Sequence, residues 1–181
     1  MPDKMEIRIS GLGGQGVVLA GQILGKAGVY SGKNVVQTQS YGAEARGSAA
    51  KSEVIISDDK IGFPSVRKCD ILIVMSQTAV DKHIKDLKEN GVLIVDSSMV
   101  QKIPKTKARL FKIKASETAE KRFGAKIYAN MIMLGALTGL TKTVSKESMT
   151  KAIRETVSVK TIKMNVSAFE KGLTLAAEML S

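Results

Sequence analysis

Gly11, Gly13 and Gly16, within SGLGGQGVVLAGQIL (Ser10–Leu24), have the spacing of a dinucleotide-binding turn. EIRIS before them alternates charged and apolar side chains as a short strand does. VVLAGQILGKAGVY after them is apolar on most faces, as a helix packed on a sheet is. In such a turn Gly11 and Gly13 take dihedrals closed to other residues, and Gly16 lets helix and strand approach closely. The exposed amides along Gly11, Gly13, Gly14, Gln15 and Gly16, together with the positive end of the helix, favour an anion.

A nicotinamide site also has an acid about 20 residues further on, at the end of the second strand, to bind the adenosine ribose. Here that region reads VVQTQSYG, with Gln37, Thr38 and Gln39 and no acid before Glu44, and no arginine stands there for a 2′-phosphate. No Gly-Lys-Ser/Thr follows the glycines, which excludes a Walker loop. In place of the acid, SYGAEARGSAA brings Tyr41, Gly42, Glu44, Arg46, Gly47 and Ser48 to the carboxyl end of the second strand, which borders the ligand crevice of an open α/β sheet. Two glycines bracketing an acid and a base suit a tight loop that aims side chains. The competing reading is a polar loop with Glu44 and Arg46 in solvent.

The elements that must hold these loops follow an α/β pattern. SGKN breaks the first helix, with Gly32 as its cap, and VVQTQ is the second strand of a βαβ unit with a right-handed crossover. SEVIIS and KIGF flank the turn DD as the arms of an inserted hairpin closed by Pro64. DILIVM is apolar throughout, as a parallel strand covered on both faces is. A charged helix over Ala79–Glu89 and the turn NG lead to the buried strand VLIVD, and RLFKIKA gives one more strand before a helix through SETAEKRF. ANMIMLGALTGL is apolar on all sides apart from Asn130 and reads as a buried helix. Its amide must then be hydrogen-bonded, with backbone groups of the glycine turn or the Tyr41 loop as the expected partners. Ile162, Val166, Phe169, Leu173, Ala176 and Leu180 form one stripe on the last helix, expected against its own domain rather than a subunit interface. The expectation is one domain over residues 1–181, a Rossmann-like open, mostly parallel sheet with flanking helices, an inserted β-hairpin and a helical C-terminal third.

The 181 residues suit a single core. The formal charge is +11, and residues 101–126 hold seven Lys and two Arg against two Glu. Nucleic acid is the partner such charge first suggests, but Phe111 and Phe123 make no interleaved aromatic pattern and no zinc-finger or RNP spacing is present. The segment reads instead as a solvated basic face, or one that meets an acidic protein. One cysteine and one histidine provide no internal disulfide, cluster or zinc site. Cys69 is expected buried at a strand entrance, and His83, in DKHIKDLKEN, solvated on a helix surface. MPDKMEIRIS is charged where a signal peptide needs an apolar run, and the uncharged stretch Ile127–Thr141 is shorter than the ~20 residues of a membrane span, so the chain reads as cytoplasmic.

GLGGQGVVLAGQIL, SYGAEARGS, VIISDDKIGFP and NMIMLGAL, in this order, resemble the gamma subunits of 2-oxoacid:ferredoxin oxidoreductases, from about Ile7 to the final helix. GGQG followed by VVLAG, and ARGS after Tyr-Gly-Ala-Glu, look most like the 2-oxoglutarate branch. The resemblance implies a required subunit without catalytic residues of its own. The complex as a whole decarboxylates a 2-oxoacid with thiamine diphosphate and magnesium, passes electrons through iron–sulfur clusters to ferredoxin and delivers an acyl group to coenzyme A. The implied partners are alpha, beta and, in some complexes, delta subunits. The resemblance implies that Gly11, Gly13, Gly14, Gln15 and Gly16 receive a coenzyme A phosphate or pack against a subunit. It places Tyr41, Gly42, Glu44, Arg46, Gly47 and Asn130 at an interface or the active-site approach. Two other readings stand beside it: a free-standing nucleotide-binding oxidoreductase, from the glycine turn, and a basic nucleic-acid-binding module, from the charge.

Overall fold

The computed structural model describes residues 4–42 and 48–181. Strand β1 (Lys4–Leu12) runs into the glycine turn and helix α1 (Val17–Tyr30), followed by β2 (Asn34–Tyr41), β3 (Ala49–Ser57), β4 (Cys69–Val74) and α2 (Gln77–His83). Then come β5 (Leu87–Asp96), β6 (Arg109–Ile113), α3 (Ala115–Phe123), α4 (Ala129–Thr141), α5 (Lys146–Thr156) and α6 (Ile162–Leu180). The sheet order is β2-β3-β1-β4-β5-β6. β1, β4, β5 and β6 are parallel, and β3 is antiparallel to both β1 and β2, so the sheet is mixed and open.

The hairpin lies elsewhere than the sequence suggests. Its arms are β2 and β3; Lys60–Phe63 form no strand, and Phe63 is exposed. The connection after β2 is long enough for a hairpin and too short for a parallel crossover, so β3 returns antiparallel and wedges between β1 and β2. The expected βαβ unit is thereby split. The expected helix over Ala79–Glu89 also ends early, because α2 stops at His83, Ile84–Asp86 make a 3₁₀ turn, and Leu87 already pairs with Cys69. Asn90 and Gly91 lie in an irregularity of β5 rather than a turn, where a Cβ on Gly91 would sit 2.7 Å from the Asp70 carbonyl.

One face of the sheet carries α1, α4, α5 and α6 over Ile7, Ile9, Val54, Ile56, Ile71 and Ile73. Close contact there depends on small residues: a Cβ on Gly21 would collide with Ser52, and one on Gly172 with the carbonyl of Ile132. α4 is buried along almost its whole length. The α6 stripe packs on its own domain through Phe169 and Ala176, with Leu180 left exposed at the end. The opposite face, Ile55, Leu72, Val74, Leu93 and Val95, is covered by α2 and by the irregular residues 97–108.

Candidate functional site at the glycine turn

Left-handed backbone falls at Gly14 (φ 93°) and Gly16 (φ 72°), where side chains are strained, while Gly11 still belongs to β1. A Cβ on Gly11 would strike the Gln15 side chain. The neighbour that Gly16 admits is not a strand: a Cβ there would strike Asn130 of α4. Gln15 turns inward. Its Oε1 accepts the Leu12 amide at 2.6 Å and its Nε2 donates to the Met75 carbonyl at 2.8 Å, closing the gap between the carboxyl ends of β1 and β4. α1 and α2 leave on opposite faces at this point, so the gap is the crevice where an open α/β sheet ordinarily takes a ligand. Gly13 N–H donates to Ser48 O at 2.8 Å. The turn is therefore pinned from both sides, and what remains open to an anion is the first turn of α1, which no side chain caps.

Asn130 is 2% exposed and makes the bond expected of it, Nδ2 donating to Gly16 O at 3.2 Å, while its Oδ1 accepts the Met131 amide at 2.8 Å. Tyr41 is exposed, and Gly42 N–H donates to Ala49 O at 2.8 Å, closing the base of the hairpin loop beside the glycines. Glu44, Arg46 and Gly47 lie outside the described residues. The turn, Tyr41 and Ala50 border a cleft of about 450 Å³ completed by Val18, Leu19, Gln22 and Ile127. These last four escape a reading of the sequence; Ile127 belongs to an apolar stretch, yet sits in a 3₁₀ turn and is half exposed. Among the described residues most of the lining is backbone and apolar side chain, with Tyr41 as its one ionisable group. Such a lining can hold and orient a ligand or a neighbouring chain.

The titratable residues gather on the other face. Arg8, a charged residue of the alternating strand EIRIS, is buried opposite Glu53. Its Nε and Nη2 reach Glu53 Oε1 at 2.8 and 2.7 Å, Nη1 donates to Asp86 at 2.6 Å, and Nη2 donates to the Val66 carbonyl at 2.8 Å. His83 is buried rather than solvated, its Nδ1 3.4 Å from Arg8 Nη1. A guanidinium only donates, so this contact suits a neutral ring with Nδ1 as acceptor, although Asp86 Oδ2 also lies 3.8 Å from Nδ1. Burial, then the charges of Arg8, Lys51 and Lys82, push its pKa down to about 4 against the opposing pull of Asp86. Cys69 is buried as expected, and burial pushes its thiol up to about 12. It is a packing residue without nucleophilic character at neutral pH.

No helix among the described residues is long and apolar enough to cross a membrane. Residues 6–175 match the family model for pyruvate ferredoxin/flavodoxin oxidoreductase. The chain is 51% identical over 179 residues to the 2-oxoglutarate synthase subunit KorC of Methanocaldococcus jannaschii, covering 97% of this chain and 96% of that one. It is 47% identical over 182 residues to the subunit of the same name from Methanothermobacter thermautotrophicus, with 97% and 96% covered. The crystal structure of the keto/oxoacid ferredoxin oxidoreductase gamma subunit from Geobacter sulfurreducens superposes with a TM-score of 0.86 at 45% identity, covering 96% of this chain and 99% of that one. A pinned glycine turn, a split βαβ unit and near-complete matches to these subunits agree: the chain belongs to the pyruvate ferredoxin/flavodoxin oxidoreductase family.

Proposed function

We propose that this chain is the gamma-type subunit of a 2-oxoglutarate:ferredoxin oxidoreductase complex, and that it contributes binding and docking surfaces rather than reacting groups. The observation that carries this reading is the 51% identity, along nearly the whole of both chains, with a 2-oxoglutarate synthase subunit. In such a complex thiamine diphosphate with magnesium, iron–sulfur clusters and coenzyme A supply decarboxylation, electron transfer to ferredoxin and the acyl acceptor. The residues of this chain do not fit a cluster, which takes four cysteines where this sequence has one. Alpha and beta subunits, with delta where the complex has one, hold those groups in this reading, and the assembly is cytoplasmic.

The glycine turn fits an anionic group. The uncapped start of α1 and the left-handed Gly14 and Gly16 leave amide dipoles at the mouth of an apolar cleft, where a phosphate of coenzyme A would be held. Tyr41, Gly42, Glu44, Arg46 and Gly47 form the rim toward the active-site approach in this proposal, and Asn130 supports the turn from below.

The test begins with the native chain. It is expected to co-purify with thiamine- and cluster-bearing subunits, and the assembly to reduce a viologen dye with 2-oxoglutarate and coenzyme A, while the chain alone does not. Turnover by the isolated chain, or a chain recovered without those partners, overturns the reading. Arg46→Ala then probes the rim. A guanidinium pairs bidentately with a carboxylate or phosphate in a way alanine does not replace, so its loss at an interface costs about 2–5 kcal/mol. Turnover of the reconstituted complex should fall accordingly with the subunit's melting temperature unchanged. A solvated arginine would change matters by roughly 0.5 kcal/mol or less.

A further inference from the structure

Parallel neighbours such as β5 and β6 are usually joined by a crossover helix that covers one face. Residues 97–108 make this crossover without one. Gln77 holds the segment in place: its Oε1 accepts the amides of Gln101 and Lys102 at 3.0 Å each, and its Nε2 donates to the Lys102 carbonyl at 2.9 Å. Val100 and Ala108 are buried, so the segment is anchored at both ends. An open cleft of about 700 Å³ lies beside β6, one of the two edge strands of the sheet. Leu110 is 39% exposed there.

Lys102, Lys105 and Lys112 stand around this cleft, and none has an ion pair among the described residues. Glu89 pairs with Lys107 at 3.0 Å and Glu117 with Lys114 and Lys121, and Asp81 accepts from Gln77 Nε2 at 2.9 Å. We propose that this lysine-rimmed cleft beside β6 is the docking surface for a carboxylate-bearing face of another subunit of the complex, an inference that rests on the proposed function above. Leu110, Ile103 and Pro104 line the cleft together with the three lysines, the mix of apolar and charged side chains that protein interfaces carry, and the unneutralised lysines set the sign of the partner. A phosphate ligand fits less well. The amides at the start of α3 that would cradle it are taken by Asp96, which accepts Ser116 N–H at 3.1 Å, and by Ser98, which accepts Glu117 N–H at 3.1 Å. Among the described residues the lining has no aromatic on which a nucleic-acid base would stack.

Lysine acetylation followed by mass spectrometry, on the native complex and on the free chain, tests the proposal without altering the protein. Lys102, Lys105 and Lys112 should react much more slowly in the complex, and carbodiimide should join them to Asp or Glu of a second subunit. Lys105→Glu with Lys112→Glu should weaken association about tenfold at low salt and flatten its salt dependence, leaving the melting temperature of the free chain unchanged. An assembled complex whose three lysines stay as reactive as in the free chain overturns this inference and leaves the proposed function standing. Protection of the free chain by RNA or inorganic polyphosphate, with none on assembly, overturns it in favour of those ligands. A chain that never assembles overturns both readings.

Discussion

Successive residues of β1 serve two faces of opposite construction. Ile7 and Ile9 point into a layer of four helices where apolar side chains meet and small residues bring helices close to the sheet and to each other. Arg8 points the other way, into a pocket closed by Glu53, Asp86, His83 and the Val66 carbonyl. The helical face depends on many small dispersion contacts, none decisive alone. The ionic face turns on one guanidinium shared by Glu53, Asp86 and the Val66 carbonyl, which lose that donor together if it goes, although Glu53 keeps Lys51 at 3.1 Å. The glycine turn sits on the first face and the lysine-rimmed cleft on the second, where its buried Val100 and Ala108 join the apolar cluster of Ile55, Leu72 and Leu93.

The contrast is broken most directly by Arg8→Met. Glu53 is largely buried and keeps Lys51 at 3.1 Å, so removing Arg8 weakens its compensation without abolishing it, and the cost falls at about 3 kcal/mol, the low end for breaking a buried pair. Replacing both, Arg8→Met with Glu53→Leu, should recover part of that loss, since well-packed apolar side chains often match a buried ion pair while Asp86 and the Val66 carbonyl still lose their donor. Urea unfolding of the two variants decides it. A single variant that costs less than about 1 kcal/mol, as an exposed pair would, shows that the ionic face does not hang on this residue.

The helical face is much the more legible of the two in the sequence. The apolar runs of β4, α4 and the end of β5, the glycines before α1 and the α6 stripe state their burial locally, and the bond between Asn130 and the turn follows from one polar residue in an apolar helix. The ionic face is written in pieces far apart. Arg8 in EIRIS has the alternation of a solvent-facing residue and is buried because Glu53 arrives opposite it on an antiparallel strand. His83 stands among charges in its own segment and is buried by Arg8, 75 residues away. The insertion of β3 between β1 and β2 was hidden for the same reason, since register with a distant strand has no local signature. At the site the glycines and Tyr41 were readable by motif, whereas Ile127 reaches the cleft through a 3₁₀ turn that no spacing announces.

Acid sharpens the comparison next. The folded pKa of His83, lowered to about 4, lies below its ordinary value of 6.5, so between them the unfolded chain binds the additional proton. The stability that the neutral ring contributes is present above about pH 6.5 and is lost as pH falls from there through about 4. Arg8, Lys51 and Lys82 disfavour the imidazolium, and Asp86 alone among its near neighbours supports it. The loss amounts to about 3 kcal/mol at most. Carboxylates titrate in the same range, so the measurement is the difference between the parent chain and His83→Gln. The parent should lose more stability between pH 7 and 4, and parallel curves would show that the ring is not held neutral by its surroundings.

The smallest effect expected is on the helical face, at Asn130. Its replacement by alanine removes an acceptor from the Met131 amide, which is fully buried in the first turn of α4, and a donor from Gly16 O. Gly16 O keeps the Ala20 amide at 2.9 Å, so one group rather than two is left without a partner, and the cost is about 1–2 kcal/mol. The consequence for the site should exceed the consequence for stability. Gly16 is in the left-handed region at the start of α1, and the Asn130 amide is what fills the space beside it. Without that contact the turn is held by Gln15 and the Ser48 carbonyl, both on its far side. Hydrogen exchange at Gly16 through Leu19 should quicken in Asn130→Ala while exchange in β1 and β4 stays as it was. Unchanged exchange at the turn would mean that Gln15 and Ser48 suffice, and that Asn130 serves α4 alone.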